Sequence, residues 1–285
     1  MTCICGEPNL VLKKYSENFD QKTCFNCGSA CFVAKEGVNW FNYDSDNDKY
    51  SDQDYLSHGE FRWAHAEILN LLKNECGSYL EIGTFNGFFA NQLAFESKLD
   101  VYGEDMNSEA IRVGKGLYSK IADKLGLVNQ FEKIQFDGII LIDVFEHVED
   151  PRSFVENVSK RLKSGGKIYL SGPTIERLFH DRSDMPPHHP WRYSSKGMIK
   201  FFESSGFKIV ERKIEYNGPL LLRNIIGLFI SGFPKEFNGE GLNLKPKSKK
   251  TVLNKLLNFL GLPVSFLLGL LRIQYCSQLM VYEKV

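Results

Sequence analysis

The sequence predicts an α/β chain: a doubly wound, mostly parallel sheet between crossover helices, with a small cysteine-bearing lobe in front of it. Three observations predict this. From residue 78 onward, short apolar runs alternate with amphipathic stretches at helical spacing, the pattern of parallel strands joined by helices. One such run, Tyr79-Leu80-Glu81-Ile82, ends in the turn Gly83-Thr84-Phe85-Asn86-Gly87 before a new helix begins. Five of the seven cysteines, Cys3, Cys5, Cys24, Cys27 and Cys31, stand within the first 31 residues.

At 285 residues and 43% apolar side chains, the chain can bury one large core or two modest ones. Lys plus Arg equals Asp plus Glu at 35 each, so no global field attracts a polyanion, and nucleic acid is not an expected partner. The first residues, Met1-Thr2-Cys3-Ile4-Cys5, lack a basic segment followed by an apolar core, so the expectation is a cytoplasmic protein without a secretory signal.

Taken in order, the cysteines come first. In a reducing compartment clustered thiols point to metal before disulfide. Cys24-Phe25-Asn26-Cys27-Gly28 sets two thiolates on one tight turn, and Cys3-Ile4-Cys5-Gly6 is its partner. Cys3, Cys5, Cys24 and Cys27 would then form the closed tetrahedral set of a structural zinc site, with no position open for substrate. Because the first pair is C-x-C rather than C-x-x-C, Cys31 is an alternative to Cys3.

The expected divisions are a zinc-ribbon-like lobe at 1–37, a connector and helix at 38–75, and a main domain at 76–285. Residues 40–54, rich in Asn, Asp, Tyr and Ser, read as irregular. Phe61, Ala64, Ile68, Leu69 and Leu72 give a helix over 55–73. Strands are expected at 79–82, 99–103, 138–142, 167–171, 207–214 and 278–283. A helix at 151–163 starts with Pro151 in its first turn and stops at Gly165-Gly166.

Gly83 can take a backbone angle closed to other residues, and Gly87 opens a helix whose free N–H groups point back at a ligand. Asp105, at the end of the second of these strands, can take two hydrogen bonds from a ribose diol. The dinucleotide fingerprint wants glycines where this turn holds Gly83, Phe85 and Phe88, so a pyrophosphate fits poorly and dinucleotide-dependent oxidoreduction is disfavoured. A nucleoside with an amino-acid tail, such as S-adenosylmethionine, needs less clearance.

The motif 81–87, the strand 101–107 ending in Asp105, the run 136–151 and the segment 162–167 resemble, in order and spacing, the class I S-adenosylmethionine-dependent methyltransferases. The similarity extends over most of residues 1–215 to the subgroup with an N-terminal zinc-binding segment, many of whose members methylate sugars or surface-glycan precursors. The resemblance implies a Rossmann-like sheet whose last strand runs antiparallel. It implies that Glu81, Gly83 and Gly87, with Thr84, meet the methionine part. Asp105, with Met106, would meet the ribose, and Asp143 and Val144 would border the cofactor. Phe85 stands where the commoner motif has its middle glycine.

A sulfonium methyl is already electrophilic, so the protein must mainly align a nucleophile and remove its proton. The loop 185–193 holds His188, His189, Trp191, Arg192 and Tyr193 between three prolines. His189 aligns with a family histidine that precedes an aromatic-Ser/Thr helix start, here Tyr193-Ser194. His189, His188 and Tyr193 are therefore the candidate catalytic residues. Asp143, Glu146 and His147 share one strand-end turn and either hold a divalent ion or fix that turn.

An apolar helical insertion is expected at about 218–274, comprising 219–232 and 252–271 with Lys245, Lys247, Lys249 and Lys250 between. Asn258, Pro263 and Ser265 make it a poor membrane-spanning helix. The favoured reading is a lid or a homodimer interface; the other is peripheral contact with a membrane, suited to a lipid-linked substrate. The expected activity is methyl transfer to a hydroxyl, amine or carbon of a small molecule, a nucleotide- or lipid-linked sugar or glycan precursor. The alternatives are a cofactor-binding scaffold without turnover, or methylation of a quinone-like or lipid-linked acceptor at a membrane.

Overall fold

The computed structural model describes residues 2–40, 53–177, 184–219, 221–222, 225, 252–273 and 277–285. The chain opens with three short strands, β1 (Val11–Lys14), β2 (Phe19–Thr23) and β3 (Ala30–Ala34), paired antiparallel in sequence order. The one-turn helix α1 (Gln53–Leu56) and α2 (Trp63–Leu72) lead into the main sheet. There the elements run β4 (Cys76–Ile82), α3 (Phe88–Glu96), β5 (Lys98–Asp105), α4 (Ser108–Leu117), β6 (Leu125–Leu127) and β7 (Phe136–Ile142). They continue with α5 (Pro151–Arg161), β8 (Leu162–Pro173), β9 (Trp191–Arg192), α6 (Ser195–Ser204), β10 (Phe207–Ile214), α7 (Val252–Leu270) and β11 (Ser277–Lys284).

The main sheet has seven strands in the order β10-β11-β8-β7-β4-β5-β6. Strands β4 to β8 are parallel, and β11 is inserted antiparallel between β8 and β10, as expected. Both faces are covered, so the central strand β7 carries the apolar run Ile139-Ile140-Leu141-Ile142. Along β7, Ile139 and Leu141 face a core built with α5 and α6, while Ile140 faces one built with α2 and α3. From β4 the chain moves to β5 on one side and returns through β7 on the other. That reversal of direction opens a crevice at the carboxyl ends of β4 and β7, the usual ligand position in doubly wound sheets.

The structure differs from the sequence-based elements in three places. The helix expected over 55–73 is broken between α1 and α2 because Gly59 crosses the Phe88 ring: a Cβ there would lie 2.1 Å from it. Asn86 Nδ2 holds the crossing by donating to the carbonyls of Leu56 at 2.8 Å and His58 at 3.1 Å. Strands β1, β2, β3, β6 and β9 were not marked by any apolar alternation long enough to read. Helix α7 runs through Pro263 without stopping, with Leu268 and Val264 packed against Leu221, Tyr216 and Ile225. The lysines at 245–250 and the connector at 41–52 lie outside the described residues.

Candidate active site

The turn after β4 is tied to the end of β5. The N–H groups of Gly83 and Thr84 both donate to the Glu104 carbonyl, at 2.8 and 3.1 Å. Gly83 has φ 77°, and a Cβ on it would lie 2.4 Å from Val144 Cγ2, so only glycine lets the strand end rest on the loop after β7. Asp105 closes the other side: its Oδ2 accepts from Phe85 N–H at 2.7 Å and its Oδ1 from Asn107 N–H at 2.9 Å. Phe85 is held at φ 54°, unusual for a residue with a side chain, and this backbone bond to Asp105 sets it there. Met106, next to Asp105, is exposed.

Glu81 lies beneath the turn rather than on it. It is 4% exposed, and its Oε2 accepts from Thr84 Oγ1 at 2.6 Å and from Ala90 N–H at 3.1 Å. Burial pushes its pKa up to about 7. One carboxylate oxygen and the Thr84 hydroxyl thus fasten the turn to the first turn of α3, whereas the resemblance implies that Glu81 contacts the methionine part of the cofactor. Across the crevice stands a residue that no motif had marked. Arg62, at the start of α2, donates from Nη1 to Asp143 Oδ2 at 2.5 Å and lies 3.9 Å from Glu60, joining α2 to the loop whose Val144 meets Gly83.

The second group of polar residues gathers beyond β7. Ligand atoms of Glu146, His147 and His189 all lie within 4.8 Å of one another. The rings of His147 and His189 meet edge to face at 4.5 Å. His147 Nδ1 lies 3.0 Å from the His188 carbonyl, which can only accept, so Nδ1 carries the proton and Nε2 is left as an acceptor. Burial, with Asp143 nearby, pushes the Glu146 carboxyl well above the usual range, and burial beside His147 pushes His189 down to about 3. His189 is therefore neutral at physiological pH, and Glu146 is the group with the greater proton affinity. The three could hold a divalent cation or pass a proton among themselves; Asp143, expected in that set, is drawn off by Arg62.

Two candidates serve differently from the expectation. His188 contributes its carbonyl to this cluster. Tyr193 is 2% exposed, stacks between Phe145 and Trp191, and donates its hydroxyl to the Phe145 carbonyl at 3.3 Å. Its ring belongs to the core, because the strand β9 turns it inward while its neighbours Trp191 and Arg192 pair with the N-terminal lobe.

A methyltransferase-domain family model matches residues 55–212, more than half of the chain and all of the site just described. The chain belongs to this methyltransferase family. Among curated relatives it is 42% identical over 45 residues to the mitochondrial ubiquinone biosynthesis O-methyltransferase of Dictyostelium discoideum, 16% of this chain and 13% of that one. It is 30% identical over 99 residues to phosphoethanolamine N-methyltransferase 2 of Caenorhabditis elegans, 32% of this chain and 23% of that one. With the ubiquinone biosynthesis O-methyltransferase of Coxiella burnetii the identity is 31% over 108 residues, 35% of this chain and 44% of that one. The chain thus spans less than half the length of these three relatives. In fold it is similar to phosphoethanolamine N-methyltransferase 2 of Haemonchus contortus, with a TM-score of 0.53 at 13% identity over 96% of this chain and 71% of that one. It is also similar to the MccD protein, with a TM-score of 0.51 at 14% identity over 79% of this chain and 97% of that one.

In this chain the cysteine lobe is joined directly to the histidine loop. The sulfurs of Cys3, Cys5, Cys24 and Cys27 converge within 4.8 Å of one another, whereas Cys31 sits on β3, paired with Trp191 of β9. Each cysteine pair lies on a turn closed by a glycine of positive φ, 88° at Gly6 and 84° at Gly28. Strand β9 is the fourth strand of the lobe's sheet. The junction continues at α6: Ser194 N–H donates to Ser29 Oγ at 2.9 Å, and Lys196 Nζ donates to the Asn26 carbonyl at 2.7 Å. A Cβ on Gly197 would lie 3.0 Å from Cys27 Sγ, so the knuckle rests on the first turn of α6.

Proposed function

We propose that this chain transfers a methyl group from S-adenosylmethionine to a hydroxyl, amine or carbon of a small molecule, with a sugar or surface-glycan precursor, nucleotide- or lipid-linked, as the acceptor class. The observation that carries the reading is the glycine turn at the switch point of the sheet, held on one side by Asp105, with Arg62 paired to Asp143 in the loop that meets Gly83. A nucleoside with an amino-acid tail offers a diol to Asp105 and a carboxylate to Arg62. When bound, the sulfonium supplies an electrophilic methyl group. Asp105 and Arg62 would hold the cofactor's ribose and carboxylate, and the glycine turn would line the space between them.

The acceptor comes from the side of Glu146, His147 and His189. His189, neutral and buried, would accept a hydrogen bond from the acceptor hydroxyl, and Glu146 would take up its proton. Because the base must be ionised, turnover falls as pH drops, and the raised Glu146 pKa starts that fall above the range of an ordinary carboxylate. Glu146→Gln is expected to lower kcat by about 10²–10⁴-fold and to remove this pH limb, with S-adenosylhomocysteine affinity retained. An unchanged kcat would refute the role of Glu146. The convergence of three ligand atoms also supports a second reading, a divalent cation at this cluster orienting the acceptor; loss of turnover in a chelator, restored by magnesium, would select it.

We assign Cys3, Cys5, Cys24 and Cys27 to one structural zinc ion. Four sulfurs close to one another with no carboxylate or water position suit that ion, and the glycine-closed turns suit its knuckles.

A further inference from the structure

Among its described side chains, helix α7 is packed on one face only. Leu268 and Val264 meet Leu221, Tyr216 and Ile225, and Gly218 N–H donates to Ser265 Oγ at 2.8 Å, so that face is closed. On the outer face Phe259, Leu262, Phe266 and Leu270 are 71%, 64%, 76% and 69% exposed. Their spacing makes them one continuous stripe along the helix, which Leu267 and Leu271 widen on one flank. Nothing among the described residues covers it. Scattered exposed apolar residues need no explanation, but a contiguous stripe of phenylalanine and leucine marks a surface that meets another apolar phase.

We infer that α7 docks this protein onto an anionic membrane surface, lying in the plane of the headgroups with the Phe259–Phe266 stripe inserted. No described helix is long and apolar enough to cross a membrane, and a helix with one packed and one bare face lies on a bilayer rather than through it. Charge decides between lipid and a second copy. Residues 245–272 hold Lys245, Lys247, Lys249, Lys250, Lys255 and Arg272 and no Asp or Glu, in a chain whose total charge balances. A second copy would offer the same basic stretch of sequence with no acid to pair with it. An anionic headgroup layer supplies the opposite charge. Past the helix, Arg272 and Ile273 line an open groove of about 830 Å³ in which Lys196, Lys200 and Arg212 outnumber Glu176 and Glu203. The docking is independent of methyl transfer, so it stands or falls separately from the proposed activity.

The test is sedimentation of the full chain with phosphatidylcholine vesicles containing phosphatidylglycerol, beside vesicles of phosphatidylcholine alone. Binding is expected to the anionic vesicles and to weaken with added salt. The double variant Phe259→Glu, Phe266→Glu is expected to lower the partition coefficient at least about tenfold, with an unshifted melting curve because both side chains are already in water. Failure of the wild type to sediment with anionic vesicles would overturn the inference, as would equal binding by the variant. So would a concentration-dependent wild-type dimer in analytical ultracentrifugation that the variant dissolves, which would make the stripe a contact between copies.

Discussion

Glu104 and Asp105 are adjacent acids at the end of β5 that point to opposite sides of the sheet: the Glu104 carboxylate is locked in the interior, whereas that of Asp105 is half-buried at the glycine turn, where it accepts from Phe85 and Asn107 N–H. Glu104 is fully buried and takes a two-pronged contact from Arg161, with both guanidinium nitrogens at 2.9 Å, plus the Phe131 N–H at 2.9 Å. Arg161 ends α5, so this pair pins that helix under the strand whose tip carries Asp105. Removing one partner leaves a buried charge uncompensated. Arg161→Ala is expected to cost about 3–5 kcal/mol, read as a lower denaturant midpoint; a loss below about 1 kcal/mol would show that the interior solvates Glu104 in some other way. Asp105 could be recognised from its place after the strand, because an acid at that spacing from a glycine turn has a chemical purpose. Arg62 could not. It carries no motif, and its relation to the turn depends on the break at Gly59 that swings α2 across the crevice. The deep burial of Tyr193 was hidden for the same kind of reason, since its direction is set by pairing between β9 and β3, strands distant in sequence.

At the scale of elements, the parallel core was legible because short apolar runs, fullest in β7, recur between helical stretches, and β10 was read to its last residue. The strands of the lobe were not, since β1 is wholly exposed and β9 is two residues long. Both exist through pairing rather than through their own patterns. The packing of α4 shows how tightly the elements define the site. Gly114 faces the turn so closely that a Cβ would lie 2.0 Å from the Asn86 carbonyl oxygen, a backbone atom that cannot move without carrying the turn with it. Gly114→Ala should therefore push α4 away from the cofactor turn. The expected cost is about 1–3 kcal/mol of stability, together with weaker S-adenosylhomocysteine binding. A variant as stable as wild type and with full affinity would show that α4 and the turn are not coupled.

Over the whole molecule, the N-terminal lobe and the histidine loop form one structural unit although more than half of the chain separates them in sequence. The four sulfurs, the β3–β9 pairing and the Ser29–Ser194 contact run from the proposed zinc site to the start of α6. The composition of the cysteine cluster was readable, but its mechanical link to the site was not, because that link is a tertiary strand pairing. Cys24→Ser is expected to abolish stoichiometric zinc content and to lower kcat, leaving S-adenosylhomocysteine affinity nearly intact because Asp105 and Arg62 stand on the main sheet and α2. Full turnover without zinc would break that link. The central claim, a nucleoside site at the Gly83–Gly87 turn, is tested most directly by calorimetric titration of the full chain with S-adenosylhomocysteine, with NADH as the control ligand. The expected result is micromolar binding that Asp105→Ala weakens by about 1.5–3 kcal/mol, with no heat from NADH. Absence of S-adenosylhomocysteine binding, or equal affinity in wild type and variant, would contradict it.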